Sequence, residues 1–254
     1  SAFCIKYNDR LTFFKRGLLP VCIVLGLVVG LIIIEDFGSA ALIALLAFFI
    51  LLIGGANWRY LVAPLPVAAI GFAAAILASP TRISRITSFL HPDQFTGSSN
   101  YQASQSLIAI GSGGLFGKGL GMGVCKYGHL PEDTTDFIFS IIAEEMGLAG
   151  TLTVIALFII FIVLGVMIIK RCKEPFGKLL ATSIVLAIGI QAALNIGVVT
   201  VVLPTKGLPL PFVSAGGTSM LLSAAAVGVL LNIASRDKLV EPAQCEKTQL
   251  REDA

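Results

Sequence analysis

The chain has 254 residues, 56% of them hydrophobic and 13% charged, and its eighteen Lys and Arg exceed its fifteen Asp and Glu by a net charge of +3. Soluble domains carry about 25% charged and about 45–50% apolar residues, so this composition, with a mean hydropathy of +0.91, excludes a soluble enzyme and a disordered chain. The charge is also too small for a nucleic-acid footprint, which leaves an all-α polytopic membrane protein as the fold class.

The first residues, Ser1–Tyr7, read as the tail of an apolar segment with no signal peptide, and the expectation is a fragment whose N-terminus lies upstream. Uncharged stretches follow at Gly17–Ile34, Phe37–Pro80, Met146–Ile169, Leu179–Leu203 and Gly207–Ser235, with only Arg59 interrupting the second. A span needs about 20 apolar residues, so Phe37–Pro80 divides at Trp58-Arg59 and the chain is expected to cross the membrane six times. The fourth span is expected to start earlier, near Phe137, because Phe137-Ile138-Phe139 is already apolar. Thirteen of the eighteen basic residues fall on one side, among them Lys6, Arg10, Arg59, Lys170, Arg171, Lys173 and Arg236. That side is cytoplasmic by the positive-inside rule. The whole chain, 1–254, reads as one membrane domain with a charged cytoplasmic tail at 236–254. Outside lie short loops near Glu35-Asp36 and Pro204–Pro211, and one large extracellular loop at 81–136. Loops of that length are usually functional or disordered, and this one, with apolar pieces such as Ser106–Ile110, is expected to carry function. The cysteines support no disulfide, since Cys125 alone is outside.

Three segments carry candidate chemistry. Gly111–Gly123 holds seven glycines in thirteen residues. It fails the P-loop pattern at Ser112 and Gly119. It reads either as a flexible turn or as backbone amides with Lys118 facing a lipid-linked phosphate. In Leu130–Glu145, Glu132, Asp133 and Asp136 precede an apolar helix that Thr134 or Thr135 can cap. Asp136 abuts the apolar run, where desolvation and like charges raise a carboxylate's pKa toward general-base range; capping is the alternative role. Glu144 and Glu145 lie two turns deeper, and Ser140 and Glu144 share a face with Asp136, which suggests a polar cavity or a charge partner. Leu203–Ser219 contains Pro204, Pro209 and Pro211 and reads as a rigid re-entrant loop. Its Lys206 either snorkels to the interface or binds an anion. Gln191 and Asn195, one turn apart in a span, read as glue between helices. His91 and His129 read as non-catalytic, and Trp58 as an interfacial anchor.

Five pieces then resemble, in order, the SEDS family (shape, elongation, division and sporulation), which holds the FtsW, RodA and SpoVE proteins. They are ED-G-SA at Glu35–Ala40, RI-RITSFL-P at Arg82–Pro92, YQ-QSLIAIGSGG-FGKGLG at Tyr101–Gly121, LPE-TDFIF-EE at Leu130–Glu145 and LPTKGLPLPF-S-GG-S at Leu203–Ser219. The PTKG-LPLPF run, with LG-G--K at Leu120–Lys126, is closer to the FtsW branch. Thr134 stands where the family usually has His, and Ala215 where it usually has Tyr.

The resemblance implies a ten-helix fold with the large loop between helices seven and eight, so the six spans correspond to helices five to ten. It implies a peptidoglycan glycosyltransferase that polymerises lipid II, with Asp136 as general base. Substrate-binding positions would be Lys206, Glu132, Gln105, Ser112, Gly113, Gly114, Lys118, Thr135 and Ser214. Lys206, Arg82, Arg85, Lys118 or a divalent cation, Mg²⁺ or Mn²⁺, would face the pyrophosphate, although no ligand spacing marks a metal. Implied partners are lipid II, a class B penicillin-binding protein and other divisome proteins, with the chain in the plasma membrane at the division septum. The rival readings are a flippase for the same lipid, using Gln191, Asn195 and Glu144, or a non-catalytic scaffold for the penicillin-binding protein.

Overall fold

A computed structural model describes residues 19–90, 98–123, 135–204 and 207–252, and every regular element among them is a helix. Helices α1 (Leu19–Glu35) and α2 (Phe37–Ile53) are apolar and 17 residues each. They meet at Asp36, which is extended and caps α2 by accepting from Gly38 N at 2.7 Å and from Ser39 Oγ. A turn at 54–57 leads into α3 (Trp58–Val62), capped by Asn57, and then into α4 (Leu65–Leu77). The chain continues as α5 (Pro80–Leu90), α6 (Ser98–Gly113), α7 (Ile138–Arg171), α8 (Pro175–Val199) and α9 (Gly217–Glu252).

Four apolar segments are long enough to cross a membrane: Trp58–Leu77, Ile138–Arg171, Pro175–Val199 and Gly217–Arg236. With α1 and α2 they fall where the six spans are expected, and the fourth does begin beside Phe137. Several boundaries differ, two of them on either side of the loop after the fifth segment. The fifth segment stops at Val199, and the sixth starts at Gly217 rather than Gly207. The stop at Val199 is a Schellman end, in which Val202 N donates to Gly197 O and Val201 N to Val198 O. The left-handed residue that such an end requires is Val201, with φ 56.

Helix α8 is the centre of the bundle. A third of its apolar window is buried inside the protein, against 6% for each of the other three, and it touches α2, α6, α7 and α9. Small residues let α7 and α8 approach closely: a Cβ on Gly165 would stand 2.4 Å from Val185 Cγ2. Part of the large loop is helical, and α6 packs along α7. Ser106 and Ala109 of α6 are fully buried, and Ser106 Oγ donates to Val199 O at 2.7 Å.

The longest helix is broken. At Gly147 the backbone turns to φ 64, ψ −157, a region open essentially to glycine only. An unbroken helix would pair Leu148 N with Glu144 O and Ala149 N with Glu145 O. Here Leu148 N donates to Gly114 O at 2.9 Å and Ala149 N to Leu115 O at 3.3 Å, while Glu144 O and Glu145 O accept from Lys118 N and Gly119 N, both at 3.0 Å. The glycine-rich segment after α6 is thus inserted into the ladder of α7. The approach is close enough that a Cβ on Gly147 would lie 2.4 Å from Gly117 N.

Two substitutions test these backbone readings by thermal melting of the full-length protein in detergent. Gly147→Ala should destabilise by about 1–3 kcal/mol or more, from strain plus overlap. Val201→Gly should stabilise by about 0.5–1 kcal/mol, because glycine removes the penalty of a β-branched left-handed residue.

Candidate functional site

Thr135, Asp136 and Phe137 form a turn that feeds α7. The cap position is Phe137, which makes no side-chain cap bond; Thr135 stands two residues before it, and Thr134 lies outside the described residues. The turn is held from below by an apolar cluster in which Phe137 and Phe139, each 3% exposed, pack with Ala192, Val199 and Leu210. Ser140 Oγ donates to Phe137 O at 2.7 Å.

Residues 207–214 form the facing wall. Its carbonyls point into α8, where Gln191 Nε2 donates to Pro209 O at 2.9 Å and Asn195 Nδ2 to Leu208 O at 2.6 Å. Asn195 Nδ2 also donates to Asp136 O at 2.8 Å. Ser214 Oγ accepts from Leu210 N at 2.7 Å and donates to Thr135 O. A Cβ on Gly207 would stand 2.9 Å from Asp136 Oδ2, so the carboxylate fits against this residue because it lacks a side chain. The structure therefore brings Asp136, Thr135 and Ser214 together with the segment that carries Lys206. Lys206 and Glu132 themselves lie outside the described residues, as do His91, His129 and Cys125.

A second polar group sits deeper. Lys118 Nζ lies 2.7 Å from Glu144 Oε1, and Glu144 is fully buried while the lysine is 36% exposed. The charge partner expected for Glu144 is therefore Lys118. Gly123 sits against both acids: a Cβ there would stand 3.0 Å from Glu145 Oε1 and 3.1 Å from Glu144 Oε2.

Several expected contacts take another form. Ser112 is exposed, and its Oγ donates to Ala109 O within α6. Gly113 and Gly114 dock on α7 instead of forming a free turn, and the amides of Lys118 and Gly119 bond to carbonyls of α7 rather than standing open to an anion. Gln105 is half-buried on α6. Arg82 binds carbonyls: its guanidinium donates to Ala75 O, Ile33 O and Ile34 O and lies 5.8 Å over the Phe37 ring. It closes the end of α1, which favours a cation there. Gln191 and Asn195 hold the proline-rich loop more than they glue helices. The hydrogen bond from Asn195 to Asp136 is not visible in the sequence, although an amide one turn before the end of a span, ahead of three prolines, is its signal. Among the described residues no three His, Cys, Asp or Glu side chains converge on a metal site.

Residues 1–239 match the FtsW/RodA/SpoVE family, described as cell cycle proteins. A probable peptidoglycan glycosyltransferase FtsW of Coxiella burnetii is 41% identical over 239 residues, covering 92% of this chain and 64% of that protein. Stage V sporulation protein E of Bacillus subtilis is 38% identical over 237 residues, again covering 92% and 64%. The chain thus spans a little under two thirds of these curated relatives. Among solved structures, a chain of a peptidoglycan synthase complex that coordinates polymerization and crosslinking superposes with a TM-score of 0.69 at 22% identity, covering 92% of this chain and 68% of that one. The rod shape determining protein RodA of Thermus thermophilus superposes with a TM-score of 0.55 at 23% identity, covering 92% and 62%. At that identity the two superpositions speak for the fold.

The Lys118–Glu144 pair gives a stability test. Lys118→Met leaves the buried carboxylate without its cation and should destabilise the full-length protein by about 1–3 kcal/mol, below the figure for a fully buried pair because the lysine is partly wet. Adding Glu144→Gln should recover much of that loss in the same melting measurement.

Proposed function

The chain belongs to the FtsW/RodA/SpoVE family of cell cycle proteins, and from that membership we propose that it is the catalytic part of a peptidoglycan glycosyltransferase that polymerises lipid II at the outer face of the plasma membrane. The observation that carries the proposal is the Asp136 carboxylate. It stands at the mouth of a membrane helix against Gly207, the residue that follows Lys206.

In this reading Asp136 takes the proton from the 4-hydroxyl of the acceptor sugar. The freed oxygen attacks the anomeric carbon of the donor and inverts it. The bond to undecaprenyl pyrophosphate breaks, and that anion leaves with the bonding electrons. Lys206 supplies positive charge to the departing pyrophosphate. The apolar outer surfaces of the helices accommodate the lipid tails, so the reacting sugars meet at the membrane boundary.

The flippase reading finds less support. A transporter would use polar groups at mid-membrane, yet the Gln191 and Asn195 amides bond to the 208–209 main chain and Glu144 is paired with Lys118. The proposal includes a role at the division septum with a class B penicillin-binding protein and other divisome proteins, as the resemblance of the sequence motifs implies.

The test is lipid II polymerisation by the full-length protein purified with its penicillin-binding partner. Asp136→Asn should lower chain formation by a factor on the order of 10² or more, the scale of losing a general base, while the melting temperature stays close to wild type. Equal glycan chains from both proteins would move the base elsewhere, to Glu132 first.

A further inference from the structure

Both peptide groups that flank Asp136 are held by side chains from distant parts of the fold. Ser214 Oγ donates to Thr135 O, on the N-terminal side, and Asn195 Nδ2 donates to Asp136 O, on the C-terminal side. The same two side chains hold the facing wall, through Leu210 N and Leu208 O. One Ser and one Asn therefore join the backbone of the aspartate to residues 208–210. Both are buried, at 3% and 1% exposure.

The amide carries a cost that packing does not explain. Asn195 Oδ1 is buried and has no hydrogen-bond partner among the described residues, so its lost hydration is not made good. Leucine, with the same branched shape, would bring no acceptor to leave unpaired. What leucine cannot do is donate to two carbonyls at once. The orientation of the amide is also unambiguous, because turning it over would set Oδ1 against Asp136 O and Leu208 O.

We infer that Asn195 and Ser214 are positioning residues for the reaction: together they fix the backbone of Asp136, and with it the direction of its carboxylate, relative to the loop that carries Lys206. The inference rests on the reading of Asp136 as the base. Both residues act through the aspartate; the four hydrogen bonds described above all involve main-chain atoms of the protein. A misplacement of about 1 Å at a reacting group costs on the order of 10²-fold in rate, so loss of either tie should be felt in turnover more than in binding.

The experiment compares wild type, Asn195→Leu, Ser214→Ala and Asp136→Asn in the full-length protein with its penicillin-binding partner. Polymerisation rates are measured across lipid II concentrations, with melting temperature alongside. Asn195→Leu and Ser214→Ala should each lower kcat about 10–100-fold, with KM within about 2-fold of wild type. Asn195→Leu exchanges one unpaired acceptor for two carbonyls without a donor and should lower the melting temperature by several degrees, so rates are read well below both transitions. If Asn195→Leu does not fold, Ser214→Ala, which deletes a single oxygen, carries the comparison. The positioning role falls if both variants turn over at the wild-type rate while Asp136→Asn is inactive, or if their loss is in KM or tracks melting. An active Asp136→Asn would instead remove the assignment of the base and this inference with it.

Discussion

A helix in lipid must pair every peptide group internally, since an unmatched one costs several kcal/mol there. Helix α7 does not meet that requirement by itself. Its ladder opens at Gly147, and the open groups are matched by four bonds from residues 114–119. Much of the outer half of the protein follows from this arrangement. Helix α6 must lie along α7 for the segment to reach. Gly113, Gly117 and Gly147 must lack side chains, because a Cβ on any of them would collide with main-chain atoms of the other strand. Lys118, delivered by the same segment, arrives beside Glu144. The stub of α7 that carries the Asp136 turn, residues 138–146, is consequently held by the segment as much as by the helix below it.

A second set of ties makes the opposite wall. The chain leaves α8 through Val201, with φ 56, and turns again at Phe212, with φ 65. Neither residue favours the left-handed region, and such strain persists where the surroundings over-determine it. Here Gln191, Asn195 and Ser214 supply the surroundings, each bonding main-chain atoms between 208 and 210. The Pro209 and Pro211 rings remove further freedom. The wall is therefore stiff on both sides of the Asp136 turn, and its partner is the apolar cluster of Phe137, Phe139, Val199 and Leu210.

What the sequence disclosed, and what it withheld, divides along a physical line. Spans are legible because hydrophobic length is a property of contiguous residues. The six apolar segments, the division at Trp58 and the early start of α7 are of this kind. Asp136 stands out for the same local reason, a carboxylate touching an apolar run. The glycine-rich segment was ambiguous because glycines report only that a backbone needs room. They do not say whether a ligand or another backbone fills it. Here the neighbour is α7, at a break that no residue near Gly147 announces. Arg82 misleads in the same way: a guanidinium in an outer loop reads as an anion site, while its partners, the carbonyls of Ile33 and Ile34, lie nearly fifty residues away in the chain. Asn195 is the hardest case, since its two acceptors are main-chain atoms from separate segments.

The inserted segment also bears on how the protein is made. Residues 114–119 leave the ribosome before α7, so they wait without their partner while the hydrophobic length of Ile138–Arg171 is still being synthesised. Helix α7 can enter the bilayer as an ordinary continuous helix, with Leu148 and Ala149 paired to Glu144 and Glu145. The break requires the earlier segment in place, because its carbonyls and amides are what replace those two bonds in the folded protein.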